Sequence, residues 1–353
     1  MSRISPVPDV WFAVPGDPAQ LTGGYVYARR LAEALPAAGW FAHPLRLPGG
    51  FPFPTPDEIA ATHDILSRLP SDAIVLADGL AFSAIPGDVI DTLDLSIVAL
   101  VHHPLAEESG LDATQIAHFK NTERTALSKA QAVVVTSPHT AATLVRDYGV
   151  PRDMLYIAPP GTDPAPRAER NATPQLLTVA TLTYRKGHDV LIQALAQIAD
   201  LPWTSLLVGS PDRDPAVTRN IKALIEQHGL QARVTIAGEM QSGALEAAYR
   251  NADVFVLPSR HEGYGMVFAE ALAHGLPIVA CAAGAVTETV PPDAGKLVPP
   301  DDPQALAEAL RRILTDSSAR QALSDAAWMH GQRLPTWNDT AAQVAEALWA
   351  ALP

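Results

Sequence analysis

The sequence predicts an α/β protein that is divided into two domains. Short apolar runs of strand length and β-rich composition alternate with segments of helical periodicity along the chain. This alternation is typical of a parallel sheet that is covered by helices. The chain has 353 residues, of which 48% are hydrophobic and 18% are charged, and this is enough for two domains with sizeable cores.

The first domain is predicted to span residues 1–164. Its predicted strands lie at 10–14, 73–77, 97–101, 132–136 and 155–158. Its predicted helices are one from Tyr25 to about Pro36, one at 111–129 and one at 140–148. The proline-rich and charge-rich segment 164–174 is the predicted linker.

The second domain is predicted to span residues 165–335. Its predicted strands lie at 175–182, 206–209, 234–238, 254–257 and 278–280. Its predicted helices include 188–198, one that begins at about Met266, and 303–314. A last helix is predicted at 340–352, in a C-terminal segment 336–353.

The composition argues against several classes of function. The formal net charge of −13 disfavours nucleic-acid binding through phosphate contacts. The single cysteine, Cys281, allows no internal disulfide and predicts a reducing compartment. The first residues lack the apolar core of a signal peptide, and the apolar runs stop far short of the roughly 20 residues that span a bilayer. We therefore expect a cytoplasmic protein without a nucleic-acid partner.

The stretch 251–277 carries the most specific pattern in the chain. A short apolar strand leads into a loop with Gly263 and Gly265, and a helix follows. A strand, a glycine loop and a helix N-terminus together present free backbone N–H groups to an anion. Glu262 in the loop and Glu270 in the helix add two carboxylates, and vicinal sugar hydroxyls are suitable donors for such a group.

This stretch resembles the signature of the retaining glycosyltransferases of family 4, which have the GT-B fold. In that signature two glutamates are separated by seven residues and are flanked by fixed proline, serine and glycine positions. The matching residues are Pro258, Ser259, Glu262, Gly263, Gly265, Glu270, Ala271, Gly275 and Pro277. The resemblance implies two facing Rossmann-like domains with parallel sheets, and a C-terminal helix that crosses back to the first domain.

The resemblance also implies roles for these residues. In the family the first glutamate approaches the donor sugar and the second binds the ribose, and this points to Glu262 and Glu270. The loop amides of the family hold the donor diphosphate. In this chain the corresponding residues are Gly263, Tyr264, Gly265, Met266 and Val267.

Two cations of the family bind the same diphosphate, and only one of them matches here directly. Lys186 stands at the family's lysine position, but the arginine position holds Thr181. Arg185 is adjacent to the lysine, so this departure either weakens the pair of cations or moves it one turn along the chain. With this alternative open, Lys186, Arg185, Glu262 and His102 are the predicted catalytic residues.

Further donor contacts follow from the resemblance. A glycine loop after the first strand lies near the donor phosphates in the family, and Gly23 and Gly24 match it. His102 matches the family histidine near the reacting carbon, with His103 as its neighbour at the end of the same strand. The segment that contains Gly238 and Met240 lies where family members contact the nucleobase.

We therefore expect a retaining hexosyltransferase that moves a sugar from a nucleotide-sugar, a UDP-sugar, to an acceptor hydroxyl. No metal site and no cofactor are predicted, because Asp301-Asp302 has the pattern of a helix N-cap and not of a metal-binding pair. Leaving-group stabilisation would come from the cations and helix-terminal amides. A sugar-nucleotide epimerase and a non-catalytic nucleotide-sugar-binding protein are the alternatives.

The acceptor and the oligomeric state stay open. Segment 101–111 resembles a phrase of bacterial members that glycosylate membrane lipids such as diacylglycerol, and this predicts a glycolipid product and a peripheral membrane location. Lys120, Arg124 and Lys129 would form the basic patch of such a protein. The alternative is a soluble sugar or small metabolite, which the acidic balance of the first domain favours.

Overall fold

The computed structural model describes residues 7–108 and 110–352. Residues 1–6, on which the signal-peptide prediction rests, lie outside the described residues, as do Ser109 of the lipid-related segment and Pro353. The chain separates into two compact units. Unit 1 contains the chain up to Gly161 together with the segment from Pro335 onward, and unit 2 is Thr162–Leu334.

Unit 1 is built on a parallel sheet of six strands within the described residues. The strands are β1 (Asp9–Pro15), β2 (Phe41–Leu47), β3 (Ile74–Asp78), β4 (Ser96–Val101), β5 (Ala132–Val135) and β6 (Leu155–Ile157). The helices before the domain change are α1 (Gly23–Ala34), α2 (Pro56–Leu66), α3 (Gly79–Phe82), α4 (Gly87–Ile90), α5 (Ala113–Leu127) and α6 (Pro138–Thr143). Short 3₁₀ turns at Leu35–Ala38, Leu105–Glu107 and Arg152–Met154 complete the unit, with a π turn at Leu144–Tyr148.

Unit 2 also has a parallel sheet of six strands in the part of the chain that is described. The strands are β7 (Gln175–Val179), β8 (Thr204–Val208), β9 (Val234–Gly238), β10 (Val254–Leu257), β11 (Ile278–Cys281) and β12 (Gly295–Val298). The helices are α7 (His188–Ala196), α8 (Pro215–Gln227), α9 (Ser242–Arg250), α10 (Met266–Ala273), α11 (Val286–Thr289), α12 (Pro303–Thr315) and α13 (Ser317–Gly331). A 3₁₀ turn, Tyr184–Lys186, joins β7 to α7 where the sequence predicted a plain loop.

The strand orders of the two sheets differ. The sheet of unit 1 runs β2-β1-β3-β4-β5-β6, and that of unit 2 runs β12-β11-β10-β7-β8-β9. When the strands of unit 2 are numbered from 1 to 6 in chain order, the sheet reads 6-5-4-1-2-3. Read from the other edge, this is 3-2-1-4-5-6, the strand order of dinucleotide-binding sheets. The strand order reverses between β1 and β3 in unit 1 and between β7 and β10 in unit 2.

Both sheets are buried on their two faces. All four residues of β5 and all four of β10 are buried, as expected for central parallel strands that lie between layers of helices. The edge strands are less buried, and among them β2 exposes Phe41 and β6 exposes Ile157. The prediction of parallel sheets covered by helices is confirmed in both units.

The C-terminal helix α14 (Trp337–Ala350) belongs to unit 1 and packs on α1, β5 and β6. The hydroxyl of Thr340 donates a hydrogen bond of 2.7 Å to the carbonyl oxygen of Pro159. Trp337 also lies edge-on to the buried ring of Tyr27. The predicted return of the last helix to the first domain is thus present.

Within the described residues, no helix is both long enough and apolar enough to cross a membrane.

Candidate functional site

The candidate site of unit 2 lies where its strand order reverses. Strands β7 and β10 are neighbours in the sheet, and the chain continues from them toward opposite edges. In open α/β sheets, ligands bind outside the carboxyl ends of the strands at such a point. The segment after β7 carries Arg185 and Lys186, and the segment after β10 carries Glu262.

These two segments approach each other closely at Gly187. This glycine has φ of +66°, and a Cβ atom at its position would lie 2.1 Å from the carbonyl oxygen of Pro258. Any other residue would therefore push the two segments apart. Next to this contact, the backbone N–H of Arg260 donates a hydrogen bond of 2.7 Å to the carbonyl oxygen of Arg185.

Glu262 is the centre of a charged cluster between the two segments. Its Oε1 atom accepts hydrogen bonds of 2.6 Å from Lys186 Nζ and from Ser259 Oγ. Its Oε2 atom lies 3.4 Å from Arg185 Nη1, which also donates to the carbonyl oxygen of His261 at 3.0 Å. The structure thus brings together Glu262, Lys186 and Arg185, three of the four residues predicted to be catalytic.

The charge of Glu262 is set by its partners. Burial alone would raise the pKa of this carboxyl group, but Lys186 and Arg185 oppose that effect electrostatically. With the hydrogen bonds from Lys186 and Ser259, they lower the pKa of Glu262 to about 2. Glu262 is therefore ionised at neutral pH, although only 5% of its surface is exposed.

Arg185 supplies the second cation of this cluster. Its side chain is only 17% exposed and that of Lys186 is 15% exposed, so neither is an ordinary surface cation. Both come from one 3₁₀ turn, whereas Thr181 lies nearer to the end of β7. The two cations of this cluster therefore both lie on the turn Tyr184–Lys186.

The glycine loop leads from this cluster into α10. Gly265 is the N-cap residue of the helix and has φ of +85°, and Met266 and Val267 form the first turn. The backbone carbonyl of Tyr264 accepts a hydrogen bond of 2.8 Å from Thr289 Oγ1, and burial raises the pKa of the Tyr264 phenol to about 12. Gly263 is buried beside Glu262. The predicted loop residues therefore form a fixed turn at a helix N-terminus.

Glu270 lies on α10, four residues beyond Met266, and has a different partner. The phenol of Tyr249, on α9, donates a hydrogen bond of 2.7 Å to its Oε2 atom. Burial raises the pKa of Glu270, the Tyr249 phenol lowers it, and the charge of Asp163 raises it again. The side chain of Tyr249 is itself held by stacking on the ring of His274, with centroids 5.1 Å apart.

The predicted nucleobase contacts lie at the edge of the same sheet. Gly238 ends β9 with φ of +73°, and its carbonyl oxygen accepts a hydrogen bond of 2.9 Å from Gly209 N at the end of β8. Met240 is partly buried and packs against the apolar cluster that includes Tyr249 and Phe268. Both residues are thus near the carboxyl ends of the strands, on the side of the sheet away from β10.

Unit 1 places His102 at the carboxyl end of β4, beside the strand reversal between β1 and β3. Its Nε2 atom is buried, lies 3.7 Å from Asp78 Oδ2 and has no hydrogen-bond partner among the described residues. A Cβ atom at Gly24 would lie 3.4 Å from the same edge of the ring, and Tyr27 packs edge-on against it. The structure therefore brings Gly24 and His102 together at the carboxyl end of β4.

The other two predicted residues of unit 1 are placed differently. Gly23 is exposed at the first position of α1. His103 is partly buried, and its Nε2 atom lies 3.1 Å from Glu108 Oε2, in the segment that follows β4. His103 is thus engaged with its own loop.

Sequence reasoning did not identify three residues that hold the predicted ones in place. Asp78 faces His102, Tyr249 binds Glu270, and Ser259 binds Glu262. Ser259 stands in the signature itself, and Asp78 directly follows the predicted strand 73–77, so both positions carried a signal. Tyr249 carried none, because its contact depends on how α9 packs against α10.

Within the ranges that the structure describes, no group of three or more His, Cys, Asp or Glu side chains is placed to hold a metal ion.

Two doubly wound parallel sheets, with a C-terminal helix that returns to the first unit, define the GT-B fold of glycosyltransferases. Residues 162–328, nearly all of unit 2, match the family model of glycosyl transferases group 1. The solved structure of sucrose-phosphate synthase from Thermosynechococcus elongatus superposes with a TM-score of 0.81 and 27% identity, over 97% of this chain and 98% of that one.

Curated relatives match over shorter segments. A D-inositol 3-phosphate glycosyltransferase of Xylanimonas cellulosilytica is 33% identical over 239 residues, which are 62% of this chain and 57% of that protein. A mannosylfructose-phosphate synthase of Agrobacterium fabrum is 32% identical over 166 residues, 42% of this chain and 37% of that protein. Over the first relatives of the inositol-phosphate type, the match covers 57% to 63% of their length.

Proposed function

We propose that this protein is a retaining, metal-independent glycosyltransferase that uses a nucleotide-sugar donor, a UDP-sugar. The observation that carries the proposal is the cluster of Glu262, Lys186 and Arg185 at the strand reversal of unit 2. It lies beside a glycine loop that opens a helix, and such a helix end is suited to a diphosphate. The match of unit 2 to glycosyl transferases group 1 supports the same conclusion.

In this proposal the diphosphate of the donor binds Lys186, Arg185 and the backbone amides of the loop 263–267. Negative charge grows on the departing diphosphate as the bond to the sugar breaks. Fixed cations and amides stabilise that charge without having to reorganise. The same groups would supply leaving-group stabilisation where other enzymes use a divalent ion.

Glu262 would act on the sugar as a hydrogen-bond acceptor. With a pKa of about 2 it has no proton to donate at neutral pH, so it cannot serve as a general acid. The proton of the acceptor hydroxyl would pass to the departing phosphate on the same face of the sugar, which gives retention of configuration. Glu270 would accept hydrogen bonds from the ribose, and His102 would contact the donor sugar.

For the acceptor we propose a phosphorylated sugar or polyol. Three of the relatives, the D-inositol 3-phosphate glycosyltransferase, the mannosylfructose-phosphate synthase and the sucrose-phosphate synthase, have names that refer to a phosphorylated acceptor or product. The basic patch that a lipid acceptor would require is partly occupied. Lys129 pairs with Asp91, and Arg124 donates to the carbonyl oxygen of Asp147 at 2.9 Å. A lipid such as diacylglycerol, with a peripheral membrane location, is therefore the second candidate acceptor.

The test is a matrix of donors and acceptors. UDP-, GDP- and ADP-sugars are each offered with D-inositol 3-phosphate, with hexose phosphates, and with diacylglycerol in anionic vesicles, and products are identified by mass spectrometry. We expect transfer from a UDP-sugar to a phosphorylated acceptor. NMR of the product should show the anomeric configuration of the donor, and activity should persist in EDTA.

Each part of the proposal can fail separately. Binding of UDP-sugars without any product would favour a non-catalytic binding protein, and a changed sugar without transfer would favour an epimerase. Inversion of the anomeric centre would contradict retention, and complete loss of activity in EDTA would contradict metal independence. Transfer to diacylglycerol alone would establish the lipid acceptor in place of the phosphorylated one.

A further inference from the structure

Arg260 lies in the loop between β10 and α10 and has contacts on every side of its guanidinium group. Nη1 and Nη2 bind both carboxylate oxygens of Asp189 at 3.0 Å and 2.8 Å. Nε binds Asp301 Oδ1 at 2.7 Å, and Nη1 also donates to the carbonyl oxygen of Tyr184. The Cζ atom stands 3.9 Å from the centre of the Tyr184 ring.

These partners surround the turn that carries the two cations. Tyr184 is the first residue of the 3₁₀ turn Tyr184–Lys186, and Asp189 lies in the first turn of α7, just beyond it. The backbone N–H of Arg260 binds the carbonyl oxygen of Arg185 within the turn. Arg260 therefore binds the turn at its start and middle, and the following helix through Asp189.

The turn depends on such support, because its own hydrogen bonds are few. The backbone N–H of Lys186 bonds to the carbonyl oxygen of Thr183 at 3.1 Å, and that of Gly187 bonds to Tyr184 at 3.2 Å. A 3₁₀ turn has poorer hydrogen-bond geometry than an α-helix, so outside contacts have more influence on its shape. A planar guanidinium group supplies a bidentate bond and a stacking face at once, and lysine cannot replace it there.

The two ion pairs of Arg260 differ in strength. The side chains of Arg260 and Asp189 are 13% and 26% exposed, whereas that of Asp301 is 57% exposed. Exposed pairs contribute little, because water screens them. The bond to Asp189, together with the contacts to Tyr184, should therefore carry most of the effect of Arg260.

We infer that Arg260 is a positioning residue for donor binding, which holds the turn Tyr184–Lys186 so that Arg185 and Lys186 converge on the diphosphate. This inference rests on the proposed function, since it assumes that the two cations bind the donor phosphates. In this chain both cations come from a single three-residue turn, and neither comes from the end of β7, where Thr181 stands. The geometry of one turn then determines the position of both charges.

The experiment compares the affinities of UDP and UMP, measured by isothermal titration calorimetry. The ratio of the two affinities reports the contribution of the second phosphate alone. We expect Arg260→Lys to lower this ratio about tenfold, with a rise in the donor KM, while UMP binding changes little. Arg311→Lys is the matched control, because Arg311 makes a bidentate pair with Asp200 at 2.7 Å on each oxygen, away from the turn.

The outcomes separate the inference from its premise. If the unaltered protein does not prefer UDP to UMP, the diphosphate role of the cations fails, and the inference fails with it. If it prefers UDP and Arg260→Lys keeps the same ratio, the inference alone is overturned, even when the melting temperature falls.

A second variant decides the case in which Arg260→Lys does not fold. Asp189→Asn keeps the shape of the partner and removes its charge, and we expect it to lower the ratio about threefold. An unchanged ratio in this variant would overturn the inference. Asp301→Asn removes the exposed partner, and its ratio should stay near that of the unaltered protein. A fall as large as that of Asp189→Asn would contradict the assignment of the main effect to Asp189.

Discussion

Unit 1 and unit 2 each bury a glutamate, and the two carboxyl groups behave in opposite ways. Glu123, on α5, receives neutral hydrogen bonds, from Ser83 Oγ at 2.8 Å and from the backbone N–H of Leu105 at 3.0 Å. Burial raises the pKa of Glu123 to about 7 against these bonds. Glu262 is buried to a similar extent, but two cations lower its pKa to about 2.

The difference shows that partners, more than depth, decide the charge of a buried carboxyl group. Neutral donors only reduce the cost of burial, whereas cations reverse its effect on the pKa. Glu270 is an intermediate case, since it has the neutral donor Tyr249 and a raised pKa. The charge at the Glu262 cluster is therefore constant over the neutral range, while that of Glu123 changes near pH 7.

The largest expected effect comes from removing the charge of Glu262. In Glu262→Gln the cations Lys186 and Arg185 lose their carboxylate, and breaking such a buried pair costs about 3–5 kcal/mol of stability. Turnover should fall at least about a hundredfold, in the range seen when one fixed catalytic group is removed. UDP should nevertheless bind about threefold more tightly or better, because the carboxylate of Glu262 no longer competes with the diphosphate for the two cations.

Lower turnover together with tighter UDP binding in Glu262→Gln would sharpen the contrast between Glu262 and Glu123. The measurements are initial rates, calorimetry with UDP and a thermal melt. Glu226→Gln, at an exposed position of α8, is the control and should leave all three unchanged. Normal turnover in Glu262→Gln would remove this residue from the mechanism.

The second effect is the pH dependence of stability due to Glu123. A glutamate in the unfolded chain titrates near 4.5, and the folded group titrates at about 7. The folded state thus holds an extra proton between these values, and its free energy of unfolding falls by about 3 kcal/mol as the pH rises through that window. Glu123→Gln resembles the protonated form and should lose this dependence.

The measurement is the free energy of unfolding in urea from pH 4.5 to pH 8. We expect Glu123→Gln to gain stability relative to the unaltered protein as the pH rises, and Glu346→Gln, at an exposed position of α14, to show no such trend. Parallel curves for Glu123→Gln and the unaltered protein would show that Glu123 does not differ from Glu262 in the way described.

The third effect concerns Glu270, the intermediate case between Glu123 and Glu262. Tyr249→Phe removes the phenol that binds Glu270 Oε2 at 2.7 Å, a bond of the charge-assisted kind that contributes about 1.5–3 kcal/mol. The pKa of Glu270 should then rise further. As the pH is lowered, Glu270 should therefore become protonated at a higher pH than in the unaltered protein, and its ionised form, which accepts hydrogen bonds from the ribose, should be lost earlier. We expect UDP affinity to fall about tenfold, and more at low pH.

Comparison of UDP with 2′-deoxy-UDP makes this result specific. If Tyr249 acts by orienting Glu270 toward the ribose, the variant should lose much of its preference for UDP over the deoxy form. Tyr156→Phe, on β6, is the control, because it removes one phenol from a strand outside the proposed donor site. A preserved preference in Tyr249→Phe would make Tyr249 a packing residue only.

The smallest expected effect concerns His102, whose side chain is 23% exposed. His102 Nε2 lies 3.7 Å from Asp78 Oδ2, and Asp78 also caps α3 through Leu80 N at 2.8 Å. Asp78→Asn keeps the cap but removes the charge that favours a proton on Nε2. We expect ¹⁵N NMR to show less of the Nε2–H tautomer, and turnover to fall about threefold.

Asp302→Asn changes the N-cap residue of α12 in unit 2 in the same way and should leave the His102 signals unchanged. An unaltered tautomer ratio in Asp78→Asn would show that the distance of 3.7 Å is too long for this carboxylate to act on the ring.

Local patterns predicted most of the strands, because central parallel strands are continuous apolar runs. Strand β2 was missed, since Pro44 interrupts it and Phe41 is 52% exposed. Proline is tolerated there because β2 lies at the edge of its sheet and that N–H is not required. Helix α13 was also missed, although Asp316 provides a recognisable N-cap.

Local spacing predicted the site only where its residues are close in sequence, and Lys186 and Arg185 were predicted from the family resemblance. The spacing of Glu262 and Glu270 is local, and the signature contains both. Lys186 and Glu262 are 76 positions apart, and their contact exists because β7 and β10 are neighbours in the sheet. Periodicity and turn signals do not determine the order of strands. The partner Tyr249 therefore became visible only with the topology.

The return of α14 to unit 1 has a consequence for synthesis on the ribosome. The buried face of α14, which includes Ala341, Val344 and Leu348, completes the core of a unit whose other elements end before Gly161. All of unit 2 must be translated in between, which takes roughly 10–35 s at about 5–20 residues per second. During that interval α14 is not yet present, so Trp337 does not pack against the ring of Tyr27. The unit whose synthesis begins first is thus the one whose chain is completed last.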